Sequence, residues 1–364
     1  MQFDFFSLHQ EAFGLDLSDL SLKIAKLKKT SRGARLSSFG EFPIPQGVLE
    51  QGEIKKEADL AALLRSAVQQ VQGEKIKTRN IVASLPEEKA FLEVIQLPKI
   101  SQEDIAEAIV FEAENYIPYP LETVYLDSQA VHPLKNHLDH TDALLASLPK
   151  TVVDSYVSLF KKAGFTMAAL EIESLAQARA LIPNEVSLVP LLIVDLGATR
   201  TSFIVFAGTS LRFTASVPVS STQLTGALAK NLNVDAVAAE NLKRKHGLEN
   251  EDSEARRVFE ILSPLLSGLA GQMKKYIDYY GSHASHQHMT LDEKEIKKVI
   301  LTGGGANLKG LRDFLSKELA IEVELGNPWA NIVKAPFHNL PPIPFDQSLS
   351  YSTALGLALR GLII

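Results

Sequence analysis

The sequence predicts an α/β protein of two similar lobes that face each other across a cleft. Two units of the same kind, each a buried strand, an aspartate, a tight turn and a second strand, begin near Phe13 and Leu191, half a chain apart. Such an internal repeat indicates a duplicated domain. A later short apolar strand runs into three glycines, Gly303 to Gly305, and then a helical segment. Strands that alternate with helices favour an α/β architecture, and a cleft between lobes is a usual place for a ligand.

The first unit is the stretch FGLDLSDLSLKIAKL at 13–27. Apolar residues alternate on both sides of the polar pair Ser18-Asp19, which predicts a β-hairpin that carries Asp16. The second unit is LLIVDLGATRTSFIVF at 191–206. It reads as a buried strand that ends at Asp195, a turn of small residues and another β-rich strand. We therefore expect two homologous lobes, each with an aspartate where a strand turns.

The region between the two units has a different pattern. Ser101-Gln-Glu-Asp104 resembles a capping box and predicts a helix through about Asn115, which Pro118 and Pro120 would end. A strand at 142–148 and a helix at 151–163, stopped by a glycine, follow. These elements predict a small αβ module inserted in the first lobe.

The predicted domain limits are 1–185 for the first lobe, with its inserted module at about 86–164, and 186–364 for the second lobe, with a small subdomain at about 222–255. Apolar residues at helical spacing predict a long buried helix over 255–280, with Pro264 as a possible kink. The strand Lys298–Thr302 and a helix from Leu308 to Leu319 complete the second lobe.

Composition excludes several classes of protein. The 364 residues carry a net charge of -6 and no dense run of Lys or Arg, so a nucleic-acid footprint is missing. The absence of cysteine excludes disulfides and thiolate sites and is consistent with a reducing cytoplasm. The start MQFDFFSLHQEAF lacks the features of a secretory signal, and the apolar stretches at 188–194 and 354–364 are too short to cross a bilayer. We expect a cytoplasmic protein whose membrane association goes through a partner.

The triple glycine has two interpretations of equal weight. Glycine lets backbone amides approach a nucleotide, and a helix N-terminus favours anions. The alternative is a simple strand-to-helix turn. Leu308 stands where a dinucleotide-binding fold would have glycine, and the chain has no phosphate loop that ends in Gly-Lys-Ser/Thr. These features argue against a Rossmann dehydrogenase and a P-loop ATPase.

The two aspartates could hold a hydrated magnesium ion between the lobes, although each alone is more often a turn cap. Backbone amides of the turns at 18–19 and 197–199 could then surround phosphates from both sides. Glu240 and Lys243 are three residues apart on a probable helix and share one face. Their alternative interpretation is a solvated surface ion pair.

These segments occur in the order of the nucleotide-binding segments of the actin, chaperone-ATPase and sugar-kinase superfamily, which the chain resembles over nearly its whole length. The resemblance implies ATP or ADP with magnesium held by Asp16 and Asp195. It also implies the following nucleotide-binding residues: Ser18, Asp19, Lys23, Gly197, Ala198, Thr199, Glu240, Lys243, Gly303, Gly304, Gly305 and Asn307.

A more specific resemblance is to the PilM family of type IV pilus assembly proteins. It rests on Val94 to Val131, with the core Glu-Asn-Tyr-Ile-Pro-Tyr-Pro and a following Leu-Asp, and on the segments at 148–154 and 354–361. The family implies ATP between the lobes, an inserted subdomain as in the division protein FtsA, and a scaffold that binds the short cytoplasmic tail of the membrane protein PilN.

The first phosphate turn departs from the family pattern, because Ser18-Asp19 replaces the usual Gly-Ser/Thr. An extra carboxylate near phosphates is unfavourable unless a metal compensates it. We expect ATP hydrolysis to be slow or absent. Glu171 and Glu173 are weak candidates for the side chain that orients the attacking water.

We expect the tail peptide to dock between the inserted module and the first lobe. Two prolines fix the chain direction after a helix, and the residues around them offer a rigid apolar surface. The candidate contacts are Glu112, Tyr116, Ile117, Pro118 and Tyr119. Two other functions stay open at this point: a sugar or acetate kinase of the same superfamily, and an FtsA-like division filament.

Overall fold

A computed structural model describes residues 11–31, 33–99, 105–131, 140–283, 295–333 and 340–364 of the chain. The strands are β1 Ala12–Ser18, β2 Ser21–Thr30, β3 Gly33–Pro43, β4 Leu49–Glu50, β5 Glu53–Ile54, β6 Gln72–Gly73, β7 Asn80–Leu85, β8 Phe91–Pro98, β9 Val124–Val131, β10 His140–Pro149, β11 Thr166–Ile172, β12 Ser187–Leu196, β13 Thr201–Gly208, β14 Ser210–Val217, β15 Lys298–Thr302 and β16 Glu322–Leu325. The α-helices are α1 Glu57–Gln69, α2 Ile105–Ala113, α3 Lys150–Ala163, α4 Glu173–Leu181, α5 Ser221–Leu232, α6 Ala236–His246, α7 Ser253–His283, α8 Leu311–Leu319, α9 Phe345–Ser348 and α10 Ser352–Arg360.

The two large sheets repeat one topology. The strand order of the first sheet is β11-β7-β1-β2-β3-β6, and the second sheet begins with β16-β15-β12-β13-β14. In each sheet three parallel strands continue into an antiparallel meander of consecutive strands. The duplication that the sequence predicted is confirmed by this shared order.

Both faces of β12 are buried, which explains its continuous apolar run. Leu191 and Ile193 join the core that also holds the first sheet, whereas Leu192 and Val194 pack with the helices of the second lobe. The long helix α7 supplies Leu262 and other residues to this second core, so the predicted buried helix is confirmed. Because the first core includes residues of both sheets, the lobes share packing behind the cleft.

The inserted segment is divided between the two lobes: its strands join the second sheet, and its helix α3 packs on the first lobe. Its strands β8, β10 and β9 extend the second sheet beyond β14, where a single register pair, Phe213 with Glu93, makes the junction. Helix α3, which the sequence analysis placed in the same module, contacts α1 and contributes Tyr156 and Phe160 to the first core. The domain limits stay a prediction, and the structure places α3 with the first lobe.

The last helix, α10, crosses back to the first sheet. A Cβ on Gly14 of β1 would lie 2.4 Å from the carbonyl oxygen of Ala354, and a Cβ on Gly356 would lie 1.8 Å from that of Ala176. Glycine therefore lets α10 touch β1 and α4 backbone to backbone. The segment 352–360 packs on the first lobe, although the predicted limits assigned it to the second.

One helix boundary differs from the sequence prediction. The predicted start at Leu308 is wrong, because that residue is extended and Gly310 adopts a left-handed φ of 72°. The chain forms a short 3-10 turn over Gly304–Asn307, and α8 begins at Leu311. The predicted capping box at 101–104 lies outside the described residues.

Candidate functional site

A cavity of about 310 Å³ opens between the two sheets, at the ends of their central strands. Both lobes contribute to its walls, and most predicted nucleotide-binding segments meet there. Its lining residues are Asp16, Ser18, Leu20, Ser21, Lys23, Glu41, Glu173, Gln177, Asp195, Gly197, Ala198, Thr199, Arg200, Ser202, Gly303, Gly304, Leu349, Ser350, Ser352 and Thr353.

Asp16 reaches the cavity from the β1–β2 hairpin. The hydroxyl of Ser84 donates to its Oδ1 at 3.1 Å and accepts the Leu17 amide at 3.0 Å, which ties the carboxylate to the neighbouring strand β7. Burial raises the pKa of Asp16, and the charge of Lys23, its cross-strand partner, opposes that shift. Lys23 Nζ donates to Ser21 Oγ at 2.7 Å and lies 3.5 Å from Glu41.

Asp195 is the penultimate residue of β12, the strand of the second sheet that is equivalent to β1. Burial and, less strongly, the negative charge of Asp16 raise its pKa to about 6, although a hydrogen bond from the side-chain amide of Gln177 opposes the shift. Gln177 also donates to Thr353 Oγ1 at 3.1 Å. Since Gln177 lies on α4 of the first lobe and Asp195 on β12 of the second, the hydrogen bond between them joins the two lobes across the cleft.

The glycine turn is required by a close approach to Asp195. Gly303 has a φ of 82°, and a Cβ there would lie 2.0 Å from Asp195 Oδ1. A Cβ on Gly305 would lie 2.4 Å from the Leu196 side chain. Gly303 and Gly304 line the cavity, whereas Gly305 packs on β12 behind it. Asn307 donates to the Asp346 carbonyl at 2.8 Å and thus fixes the turn to α9.

Glu173 and Glu171 occupy different places. Glu173 begins α4 and lines the cavity, and burial followed by the charges of Asp16, Glu87 and Asp195 raises its pKa well above the usual range. Glu171 forms a two-pronged ion pair with Arg179 at 2.6 and 3.1 Å outside the cleft. Of the two hydrolytic candidates, only Glu173 faces the predicted ligand site.

Asp19 points away from the cavity. It accepts the Gly52 amide at 3.1 Å and lies 3.4 Å from Arg200 Nη2, and the same guanidinium pairs with Glu88. The carboxylate that appeared unfavourable beside phosphates is therefore compensated by an arginine from the opposite lobe. Ser18 remains on the cavity side of the turn.

Glu240 and Lys243 lie one layer behind the second turn. Lys243 is buried and donates to Glu240 at 2.7 Å and to the hydroxyls of Ser221 and Thr225 at 2.7 Å each. The Ser221 amide in turn donates to the Gly197 carbonyl at 3.0 Å. The alternative of a solvated surface pair is wrong, because Lys243 is buried and anchors α6 to the start of α5.

A second cavity, the groove, of about 630 Å³, separates the module from the first lobe. Its walls are the face of β9 and β10, the end of β11 with α4, the β13–β14 hairpin and the C-terminal turn. The groove is lined by Leu85, Tyr125, Leu126, Asp127, Gln129, Leu144, Ala146, Leu148, Val153, Ala169, Leu170, Glu171, Ile172, Leu175, Ala178, Arg179, Glu185, Phe206, Thr209, Ser210, Leu211, Arg360 and Ile363.

The predicted partner residues lie on the other face of the module. Ile117 was expected at the surface but is buried in a core with Ala143 and Leu145 of β10, whereas the groove faces the alternate residues of that strand. Tyr116 and Tyr119 are exposed, as is Pro118 between them. Glu112 is half-buried and accepts the side-chain amide of Asn115 at 3.3 Å. These residues flank α2 and do not line the groove.

Comparison with known proteins identifies the family. The family model described as type IV pilus assembly protein PilM matches residues 14–362. The chain belongs to the PilM family. It is similar in structure to the solved PilM-PilN type IV pilus biogenesis complex, with a TM-score of 0.77 and 25% identity over 97% of this chain and 98% of that one. The family resemblance inferred from the sequence is thus confirmed.

More distant relatives agree on the fold. Cell division protein FtsA of Borreliella burgdorferi is 22% identical over 284 residues, which are 72% of this chain and 67% of that protein. MreB5 of Spiroplasma citri, solved with ADP, has a TM-score of 0.55 at 10% identity, over 88% of this chain and 94% of that one. The protein therefore has an actin-like fold, and within the described ranges no helix is long and apolar enough to cross a membrane.

Two cleft residues escaped the sequence analysis. Arg200 belongs to the second turn, where a basic side chain after Gly-Ala-Thr was the available signal. Gln177 lies one helical turn after Glu173, and the i, i+4 spacing of these two polar residues was the sign that they share one face of the helix. The pairing of Arg200 with Asp19 and that of Gln177 with Asp195 could not be inferred from the sequence, because each joins one lobe to the other.

Proposed function

We propose that the protein is a nucleotide-binding scaffold of a type IV pilus assembly complex, positioned at the inner face of the cytoplasmic membrane by the tail of a PilN-like protein. The observation that carries the nucleotide part is the convergence of Asp16, Asp195 and Gly303 on one cavity from equivalent strands of two lobes. The solved MreB5 with ADP, of the same fold, supports adenine nucleotide as the ligand.

The donor set fits magnesium. Asp16 and Asp195 offer hard carboxylate oxygens, and burial raises the pKa of each, with the charge of Asp16 adding to the shift of Asp195. A divalent cation would remove this unfavourable charge. The two carboxylates would hold it, partly through water, and the ion would neutralise phosphate charge when bound.

The turns supply the phosphate contacts. The turns near Ser18 and at 197–199 border the cavity from opposite lobes, and backbone donors can bind phosphate oxygens there. The Gly197 amide donates to the Arg200 carbonyl at 2.9 Å and closes the second turn, so the donors in that turn would be Ala198 and Thr199. Lys23 adds a cationic side chain on the same wall. Lys243 and Glu240 hold the second turn in place through Ser221 and define the side of the site on which the sugar and base would lie.

Turnover is slow or absent in this proposal. Glu173 is the carboxylate in position to orient a water, but burial and the neighbouring carboxylates raise its pKa, which disfavours the ionised form that a general base needs. The nucleotide then serves mainly to fix the angle between the lobes.

The groove accommodates an extended peptide. Among the described residues, β11 ends the first sheet, and no strand pairs with its outer edge. Residues 169–172 of this edge line the groove, and the apolar side chains of Leu144, Ala146 and Leu148 form the opposite wall. A peptide can add to such an edge through main-chain hydrogen bonds while its side chains enter the apolar wall. The similarity to the PilM-PilN complex supports the PilN tail as that peptide.

Nucleotide binding is tested by calorimetry with ATP and magnesium. Wild type should bind, and Asp195→Ala should weaken binding at least tenfold because one of the two cleft carboxylates is lost. Asp313→Ala, on the exposed surface of α8, is the matched control and should bind normally. Failure of folded wild type to bind ATP with magnesium would refute the nucleotide part of the proposal.

Peptide binding is tested with a fluorescein-labelled peptide of the host's own PilN tail. Gln129→Trp places a bulky ring on the exposed face of β9 inside the groove and should weaken binding about tenfold or more. Asn115→Trp, on the other face of the module, is the matched control and should have no effect. The reverse pattern would place the peptide beside α2, on the contact residues that the sequence analysis named, and would refute the groove.

A further inference from the structure

The end of α2 and the turn that follows it carry an exposed apolar surface that the groove does not use. Four large side chains within ten consecutive residues are exposed: Val110 by 50%, Phe111 by 75%, Tyr116 by 40% and Tyr119 by 48%. These four residues are called the α2 surface below. Clustered exposed aromatics of this kind are typical of interaction sites, whereas single exposed apolar residues are common and need no explanation.

The module core does not require the α2 surface. Ile109, Ala113 and Ile117 recur every four residues, are buried, and pack on Ala143 and Leu145 of β10. One apolar stripe is sufficient to attach a helix to a sheet. The α2 surface lies outside this core. Its exposed apolar side chains are therefore not needed to hold α2 on the sheet.

The α2 surface and the groove lie on opposite faces of the module sheet, and β10 contributes to both faces. Alternate residues of β10 separate them, with Ala143 and Leu145 under α2 and Leu144 and Ala146 in the groove. A ligand in the groove therefore leaves the α2 surface open. Two partners could bind the module at once.

The segment that contains α2 and the turn after it is negatively charged. Residues 100–134 contain seven acidic residues and neither Lys nor Arg. The acidic residues are Glu103, Asp104, Glu107, Glu112, Glu114, Glu122 and Asp127. Among those whose side chains the structure describes, Glu114 and Glu122 are exposed on the same segment as the aromatic rings. This segment of the module thus combines exposed aromatic anchors with a net negative charge.

This combination selects the kind of partner. Anionic lipid surfaces and nucleic acids are repelled by a negative field, whereas a basic protein segment is attracted and steered by it. Lys and Arg also bind over tyrosine and phenylalanine rings. We propose that the α2 surface binds a protein partner whose contact segment is rich in Lys or Arg and carries an apolar anchor. The groove peptide and the nucleotide are not needed for this contact.

The partner is identified by site-specific crosslinking in the native host. A photoreactive phenylalanine analogue replaces Phe111 or Tyr119 in the full chain, and the crosslinked segment is sequenced by mass spectrometry. The expected result is one dominant protein whose crosslinked segment carries net positive charge. That protein is then purified, and its affinity is measured directly against the wild-type chain.

Purified variants then test the chemistry of the contact. Phe111→Ala should weaken binding about tenfold or more, as expected for a central aromatic anchor. Glu112→Lys with Glu114→Lys should weaken it by a similar factor, and raising the salt concentration from 50 to 300 mM should weaken wild-type binding severalfold. The matched controls are Val237→Ala, an exposed apolar residue of α6, and Glu251→Lys in the second lobe, both expected to bind as wild type. All these side chains except that of Glu112 are exposed, so folding should be preserved in each variant.

Other outcomes would overturn the inference. Adducts with lipid, with the PilN tail, with a second copy of this chain, or with no protein at all would each assign the surface differently. So would a crosslinked segment that is acidic or neutral. A purified partner whose affinity is unchanged by Phe111→Ala and by the charge reversal would show that the α2 surface is not the contact.

Discussion

Replacing Asp195 with asparagine should stabilise the ligand-free protein. Burial and the nearby Asp16 raise the pKa of Asp195 from 3.8 to about 6. At about 1.4 kcal/mol per pKa unit, ionising this carboxyl in the folded protein costs about 3 kcal/mol at neutral pH. Asparagine has nearly the same size, carries no charge, and still offers an oxygen to the side-chain amide of Gln177. The variant should therefore unfold at a higher urea concentration than wild type at pH 7.

The pH dependence has a definite sign. Because the folded-state pKa is raised, the contribution of Asp195 to stability is complete below its unfolded pKa and is lost as the pH rises through about 6. The advantage of Asp195→Asn should be about 3 kcal/mol at pH 7 and should shrink towards zero as the pH falls to about 4.

The assay uses the single tryptophan of the chain. Trp329 is buried beside α10, so its fluorescence reports global unfolding in urea. Asp313→Asn, on the exposed surface of α8, serves as the control and should match wild type at every pH. A variant that is less stable than wild type at pH 7, or whose advantage is the same at pH 4 and pH 7, would refute the reasoning. With magnesium and ATP present, wild type alone should gain stability, because the variant lacks a carboxylate for the ion.

Three further substitutions or measurements test the site. Gly303→Ala should destabilise the protein by about 3 kcal/mol or more, since its Cβ would overlap Asp195 Oδ1 at a positive φ; an ordinary urea midpoint would contradict the close approach. Lys243→Met should lower the free energy of unfolding by about 3 kcal/mol because it leaves Glu240 and two hydroxyls without their buried cation. It should also weaken ATP binding in calorimetry. Wild-type stability together with wild-type ATP affinity would show that Lys243 does not anchor the second turn. Any ATPase rate should stay below about 1 s⁻¹, and a faster rate that Glu173→Gln abolishes would show that this carboxyl is an effective catalytic group.

The sequence by itself determined the repeated strand–Asp–turn–strand units and the residues that begin and end many of the helices. These features depend on local periodicity and turn chemistry, which neighbouring residues fix. The hairpin with Asp16 and the glycine stop after α3 at Gly164 are as predicted, and the strand with Asp195 ends one residue later, at Leu196. The resemblance to the PilM family then predicted how these local units are arranged in the fold.

Local patterns gave less information about which side of an element faces which neighbour. Ile117 belongs to an apolar turn that could face a partner or a core, and only the packing of α2 on β10 decided for the core. The start of α8 was misplaced by three residues, because Gly310 interrupts a segment whose composition is otherwise helical.

Tertiary structure alone decided the contacts between lobes. Arg200 meets Asp19 across 181 residues of chain, Gln177 meets Asp195 across 18 residues that include a change of lobe, and α10 returns to β1 at the other end of the chain. No periodicity links such positions, because their pairing depends on how two sheets are oriented around a shared core. The separation of Glu171 from Glu173 has the same origin: the two are neighbours in sequence, but β11 ends and α4 begins between them, so one carboxylate is held by Arg179 outside the cleft and the other lines it.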